Sequence, residues 1–196
     1  MKILGLYNNP CAVELFEQIE AAGHEVITTT ERLDLSWVLA QHFDLAVSYT
    51  YRYIVSAEII AALSGNIVNI HNSFLPFNRG ADPNLWSIID DTPKGVTIHY
   101  MDAALDKGYI IAQEMVDFTG EDTLHSSYYK LDSAAKELFM KTLEHYESWG
   151  ELKKKALGQG SYHSVKDGLS YKEMIDSYDM KISDFRKLLG IGKHSR

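Results

Sequence analysis

The chain has a single cysteine, Cys11, so it can form no internal disulfide and cannot build a cysteine-ligated zinc site. No apolar run approaches the roughly eighteen residues a membrane helix needs, and there is no internal repeat or low-complexity segment. The eight histidines show no HExxH-type spacing, so no metal site is expected. Basic charge is short as well: 19 Lys and Arg against 27 Asp and Glu give a formal net charge of -8, which argues against nonspecific binding of nucleic acid, although Lys153 to Lys155 form a local basic cluster. What is present is apolar residue, 45% of 196 positions, enough for one core plus an appendage. We expect a main domain over residues 1–150 and a tail over 151–196 that packs on the core or on a partner subunit. The opening KILGLY reads as a strand rather than a signal peptide, which predicts a cytoplasmic protein with no membrane partner.

The apolar pattern alternates between strand and helix periods. Lys2 to Tyr7, His24 to Thr29, Asp44 to Ser48 and Asn66 to Ile70 read as strands, with helices over Cys11 to Ala22, Leu33 to His42 and Ala57 to Leu63 between them. A short helix over Pro83 to Ile89 precedes strands over Gly95 to Met101 and Tyr109 to Val116, and the longest helix is expected from Thr123 to Trp149. This order predicts an α/β fold with a doubly wound, mostly parallel sheet flanked by helices. After Gly150 two short helices are expected near Ser170 to Ser177 and Ser183 to Leu189. The apolar residues Met174, Ile175, Ile182, Phe185 and Leu188 in that tail point to a homodimer contact.

Chemistry concentrates where the fourth strand stops. Asn69 and His71 alternate with Ile70 and so leave the strand on one face, and strand ends are where open α/β sheets bind ligands. The steps Leu75-Pro76 and Arg79-Gly80 then break regular structure, and Asp106 follows the next strand. An amide donor, an imidazole and a carboxylate suit acyl transfer to an amine: Asn69 and protonated His71 would hold a tetrahedral oxyanion. Asp106 would hold the imidazole, order a water or accept the amine proton. Each residue also has a plainer reading: Asn69 as a turn former, His71 as a satisfied core histidine and Asp106-Lys107-Gly108 as a hairpin turn. Ser73 beside His71 leaves a Ser-His-Asp hydrolase open as a lesser alternative.

The run NIHNSFLPFNRGADPNLWSIIDDTPKGVTIHYMDAALDKGYIIAQ, from Asn69 to Gln113, resembles the signature of the folate-dependent formyltransferase family, with a Rossmann-like catalytic domain over 1–150. The resemblance is specific over about residues 66 to 115 and implies that Asn69, His71 and Asp106 are the catalytic set, with 10-formyltetrahydrofolate as formyl donor. It also implies donor-binding roles for Arg52, Tyr53 and Val55 after the third strand and for Met101, Asp102 and Leu105 in the loop leading to Asp106. Within the family, the first turn Tyr7-Asn8-Asn9-Pro10 departs from the glycine-containing loop of glycinamide ribonucleotide enzymes, and its proline removes an N–H from any phosphate cradle. Room for the RNA-binding domain of methionyl-tRNA enzymes or the regulatory domain of formyltetrahydrofolate hydrolases is lacking in 196 residues. The chain is most similar to the sugar-nucleotide N-formyltransferases, which implies the amine of a dTDP- or GDP-linked amino sugar as acceptor, with Asn8, Asn9, Asn78, Arg79, His163 and Lys166 as its binding residues. Glycinamide ribonucleotide or another small amine is the alternative acceptor, and a non-catalytic folate- or nucleotide-binding module the alternative of another class.

Overall fold

Four short apolar segments become parallel strands: the first, third and fourth are almost wholly buried, the second lies partly exposed at the sheet edge, and a helix after each of the first three returns the chain. In the computed structural model, which describes residues 1–102 and 106–191, these are β1 (Lys2–Leu6), β2 (Glu25–Thr29), β3 (Leu45–Tyr49) and β4 (Ile67–His71). The returning helices are α1 (Val13–Ala21), α2 (Leu35–Gln41) and α3 (Ala57–Ala62). Asp34 and Ser56 cap α2 and α3 by accepting from the amides of Trp37 and Ile59, as expected for oxygen side chains just before a helix. After α4 (Pro83–Ile89) a hairpin of β6 (Gly95–Tyr100) and β7 (Ile110–Met115) completes a six-stranded sheet of order β2-β1-β3-β4-β6-β7. The two-residue β5 (Arg79–Gly80) lies outside that sheet. Strand β6 runs antiparallel to β4, with Asn69 opposite His99 and His71 opposite Thr97. The C-terminal ends of β1, β3 and β4 share one edge of the sheet, and the loops after them meet there.

Helix α5 (Leu124–Leu143) covers one face together with α1, burying Phe16, Ile19, Leu131 and Phe139 against β1, β3, β4 and β6. A capping box of Thr123 and Ser126 starts it. The predicted continuation to Trp149 breaks after Leu143: the indole of Trp149 is buried and donates to the Thr142 carbonyl at 2.8 Å, so the chain folds back into the short α6 (Trp149–Leu152). The opposite face of the sheet packs Leu4, Leu6, Ala46 and Ile67 against α2 and α3.

The tail returns to the core. Its strand β8 (Tyr162–His163) pairs in parallel with β5, so the Arg79-Gly80 step expected as irregular chain is instead the edge of a two-stranded sheet. Beyond α7 (Leu169–Glu173), Ile182 and Phe185 of α8 (Ile182–Leu188) are buried with Trp86, Ile88, Ile89 and Leu124 of the same chain. Two of the five residues expected to form a dimer contact are therefore internal, because the apolar face of α8 is satisfied by α4 and the start of α5. Arg186 seals this junction by donating to the Ile88 carbonyl at 2.9 Å and pairing with Asp91 at 3.1 Å. Among the described residues no helix is long and apolar enough to cross a membrane.

Candidate active site

Strand β4 carries two polar side chains out of an otherwise buried run: Ile67, Val68 and Ile70 are in the core, Asn69 is half-buried, and His71 closes the strand. Asp106 comes back from the loop between β6 and β7 with φ +51°, and a Cβ at Gly108 would overlap the Tyr100 carbonyl, so this Asp-Lys-Gly turn requires its glycine. Those constraints bring the carboxylate between two imidazoles. Its Oδ1 is 3.4 Å from the Asn69 amide nitrogen and 3.5 Å from His99 Nε2. Its Oδ2 accepts from the Gly80 amide at 2.8 Å and stands 3.9 Å from His71 Nε2. The residues read more plainly as a hairpin turn and a core histidine, Asp106 and His71, are thus joined in one polar cluster, buried to 9% and 6% exposure.

Hydrogen bonds to backbone carbonyls orient both rings. His71 Nε2 donates to the Asn78 carbonyl at 2.9 Å, and Nδ1 is its nitrogen without a hydrogen bond among the described residues. His99 Nδ1 donates to the Tyr100 carbonyl at 2.9 Å, which turns its Nε2 toward Asp106 and to 3.4 Å from the Asn69 amide. Burial pushes the Asp106 carboxyl up, but the charge of His71, the hydrogen bond and charge of His99 and the Gly80 amide outweigh it and hold the group well below the usual carboxylate range. Asp106 is consequently an anion throughout the neutral range and a weak base; it suits holding positive charge on an imidazole better than taking a proton from an amine on its own. Ser73 donates to the Phe77 carbonyl at 2.8 Å, a contact that organises the loop rather than pairing the hydroxyl with His71.

The remaining predicted residues are placed unevenly. Arg52, Tyr53 and Val55 follow β3 on the shared edge; the Arg52 amide donates to Asn8, its guanidinium donates to the Tyr53 hydroxyl, and Val55 is buried. Between them Ile54 is 86% exposed, an apolar surface suited to a flat ring. Met101 packs beneath this edge, Asp102 is exposed beside it, and Leu105 lies outside the described residues. The side chains of Asn8 and Asn9 are engaged within the fold: Asn8 donates to the Thr30 carbonyl, and Asn9 caps the turn at Cys11 while donating to the Tyr128 hydroxyl. Asn78 is fully buried, with its amide nitrogen on Thr92 and its oxygen on Ser161, so what it offers the site is its carbonyl on His71 and not a side chain open to an acceptor. His163 stacks on Trp86 at 3.7 Å between ring centres and pairs with Asp90 at 3.0 Å, an arrangement that welds the tail to α4. Arg79 uses Nε on the Ser161 carbonyl and, like the exposed Lys166, has no carboxylate within ion-pair reach among the described residues.

His99, Gly80 and Ser161 were not singled out in the sequence. The signal for His99 is present, a lone imidazole two residues after Thr97 in an apolar strand that must pair with β4. Gly80 acts through its backbone amide on Asp106, 26 residues away, and Ser161 through its hydroxyl on Asn78, 83 residues away, contacts that no local pattern announces. Among the described residues no group of three or more His, Cys, Asp or Glu side chains could hold a metal ion.

Comparison with known proteins bears on the family and the fold. The model of the formyl transferase family matches residues 16–143. The dTDP-4-amino-4,6-dideoxyglucose formyltransferase of Mycobacterium tuberculosis is 36% identical over 124 residues, 63% of this chain and 47% of that protein. The methionyl-tRNA formyltransferase of Fusobacterium nucleatum is 36% identical over 102 residues, 52% of this chain and 33% of that protein. The chain thus spans about half or less of the curated relatives it matches. The crystal structure of the formyltransferase PseJ from Anoxybacillus kamchatkensis, in complex with UDP-4,6-dideoxy-4-formamido-L-AltNAc and tetrahydrofolate, superposes with a TM-score of 0.83 at 35% identity, over 94% of this chain and 97% of that one. With its strand-end site on a mostly parallel sheet and a family match from residue 16 to 143, the chain belongs to the formyl transferase family.

Proposed function

We propose that this chain transfers the formyl group of 10-formyltetrahydrofolate to the amine of a nucleotide-linked amino sugar. The observation that carries the reading is the convergence of Asn69, His71 and Asp106 at one strand end, in a chain that is 35% identical along 94% of its length to a formyltransferase held with a nucleotide formamido sugar and tetrahydrofolate. The donor supplies an activated formyl carbon; Arg52, Tyr53, Val55, Met101 and Asp102 would hold it on the shared edge, where exposed Ile54 offers apolar area. The neutral amine nitrogen bonds to the formyl carbon, the bond from that carbon to N10 breaks, the amine gives up a proton and N10 gains one. Asn69 has both its amide contacts at 3.4 Å, long enough to be exchanged for a stronger one to the oxyanion. His71 Nδ1 is the nitrogen left to share the oxyanion or the departing proton, and the Asp106 carboxylate stands 3.9 Å from the other nitrogen of the same ring. Arg79 and Lys166, neither with a carboxylate in ion-pair reach among the described residues, would take a diphosphate, and the proposed unit is residues 1–150 with the 151–196 tail completing the site.

The test is an acceptor panel: 10-formyltetrahydrofolate with UDP-, dTDP- and GDP-linked amino sugars beside glycinamide ribonucleotide, products read by mass. One added formyl group on a nucleotide sugar is expected. Formylation of glycinamide ribonucleotide alone would replace this reading, and binding of folate with no transfer to any amine would leave a binding module.

A further inference from the structure

We infer that Ser161, in the tail and ninety residues from His71, is a positioning residue that sets which nitrogen of His71 acts; the inference rests on the formyl-transfer reading above. The contacts form one continuous path. The Ser161 hydroxyl accepts from the Asn78 amide N–H at 2.8 Å and donates to the Asn78 side-chain oxygen at 3.0 Å. This double clamp holds Asn78 at φ +55°, a conformation that few non-glycine residues adopt without support. Held that way, Asn78 aims its carbonyl at His71 Nε2. A carbonyl only accepts, so the bond fixes the proton on Nε2 and assigns the chemistry to Nδ1.

The same strand of tail reaches the other half of the site. The Ser161 amide donates to the Pro76 carbonyl at 3.2 Å, and its carbonyl accepts from the Arg79 amide at 3.1 Å. The Ala81 amide donates to the His163 carbonyl at 2.9 Å, which leaves the intervening Gly80 amide free to reach Asp106. A Cβ on Gly80 would overlap the His163 carbonyl, and one on Gly160 would overlap the Pro76 carbonyl, so the two segments touch backbone to backbone. Residues 160–163 thus grip the loop from which the acceptor for His71 and the donor for Asp106 both project. The hydroxyl itself need not touch either substrate.

Ser161→Ala removes the clamp and nothing else. We expect kcat to fall roughly 10- to 100-fold, as for loss of a group that orients a reacting side chain, with the KM values of donor and acceptor unchanged. The kcat–pH profile should move, since His71 loses its fixed tautomer, and Ser161→Thr, which restores the hydroxyl, should recover most of the rate. Wild-type kcat and pH profile in a folded Ser161→Ala protein would overturn the inference. Histidine-¹⁵N NMR of the ligand-free wild-type protein tests it without relying on any variant or on turnover: the expected signal is an Nε2-protonated His71, and an Nδ1-protonated neutral His71 would overturn it. A wild-type protein that formylates no amine would remove the functional reading while leaving this tautomer result to stand or fall by itself.

Discussion

Replacing Asn69 with alanine is expected to lower kcat for formyl transfer by ~10²–10³-fold, the usual consequence of deleting one donor to a developing oxyanion. The fold should barely notice. Asn69 is half-buried, and among the described residues its amide nitrogen makes two contacts, each at 3.4 Å, near the outer limit of a useful hydrogen bond. Ground-state stabilisation is therefore slight, and the side chain is uncommitted until charge appears on the formyl oxygen. Steady-state kinetics in both substrates, with thermal melting alongside, checks the expectation. Near-wild-type turnover in a folded Asn69→Ala protein would remove Asn69 from the chemistry.

Asp106→Asn should cost ~10²–10⁴-fold in kcat, the range typical of groups that manage proton transfer. The variant keeps an acceptor for the Gly80 amide but removes the negative charge that faces His71 and His99. Two kinds of pH behaviour separate this role from that of a simple base. Because burial is outweighed by the two imidazoles and the Gly80 amide, the Asp106 carboxyl ionises well below its ordinary 3.8, so its titration should not appear as an acid limb of the wild-type rate near neutrality. Its contribution to stability has a definite sign: a depressed native pKa stabilises the fold at pH values above the unfolded value and loses that contribution as acid protonates the native carboxylate. The melting temperature of the wild type should therefore exceed that of Asp106→Asn most at pH 5 to 7 and converge with it on strong acidification. A gap that widens with acid would contradict the ion-pair account.

Much of the framework is legible in the sequence because it rests on local patterns. Helix α4 has the bounds Pro83–Ile89 that proline at its first position and the apolar run predict. Strand β4 lies one residue later than expected, Ile67–His71, which brings His71 into the ladder opposite Thr97. What is not legible depends on contacts through space. The end of α5 is set by burial of Trp149 and not by any break in its apolar stripe. The β5–β8 pairing joins two dipeptides whose side chains carry no strand pattern. At the site, Asn69, His71 and Asp106 can be found from residue type and spacing, whereas the partners that aim them are the carbonyl of Asn78, the amide of Gly80 and the hydroxyl of Ser161. Two of those three are backbone groups, which any residue would supply and which sequence therefore cannot mark.

The most direct test of the central claim is a crystal structure of the protein with tetrahydrofolate and a formylated nucleotide amino sugar. The account predicts the formyl oxygen at about 3 Å from the Asn69 amide nitrogen, with His71 and Asp106 around the same group and the pterin on the Arg52–Val55 edge. A formamido group bound away from Asn69, with that amide still turned to His99 and Asp106, would contradict it.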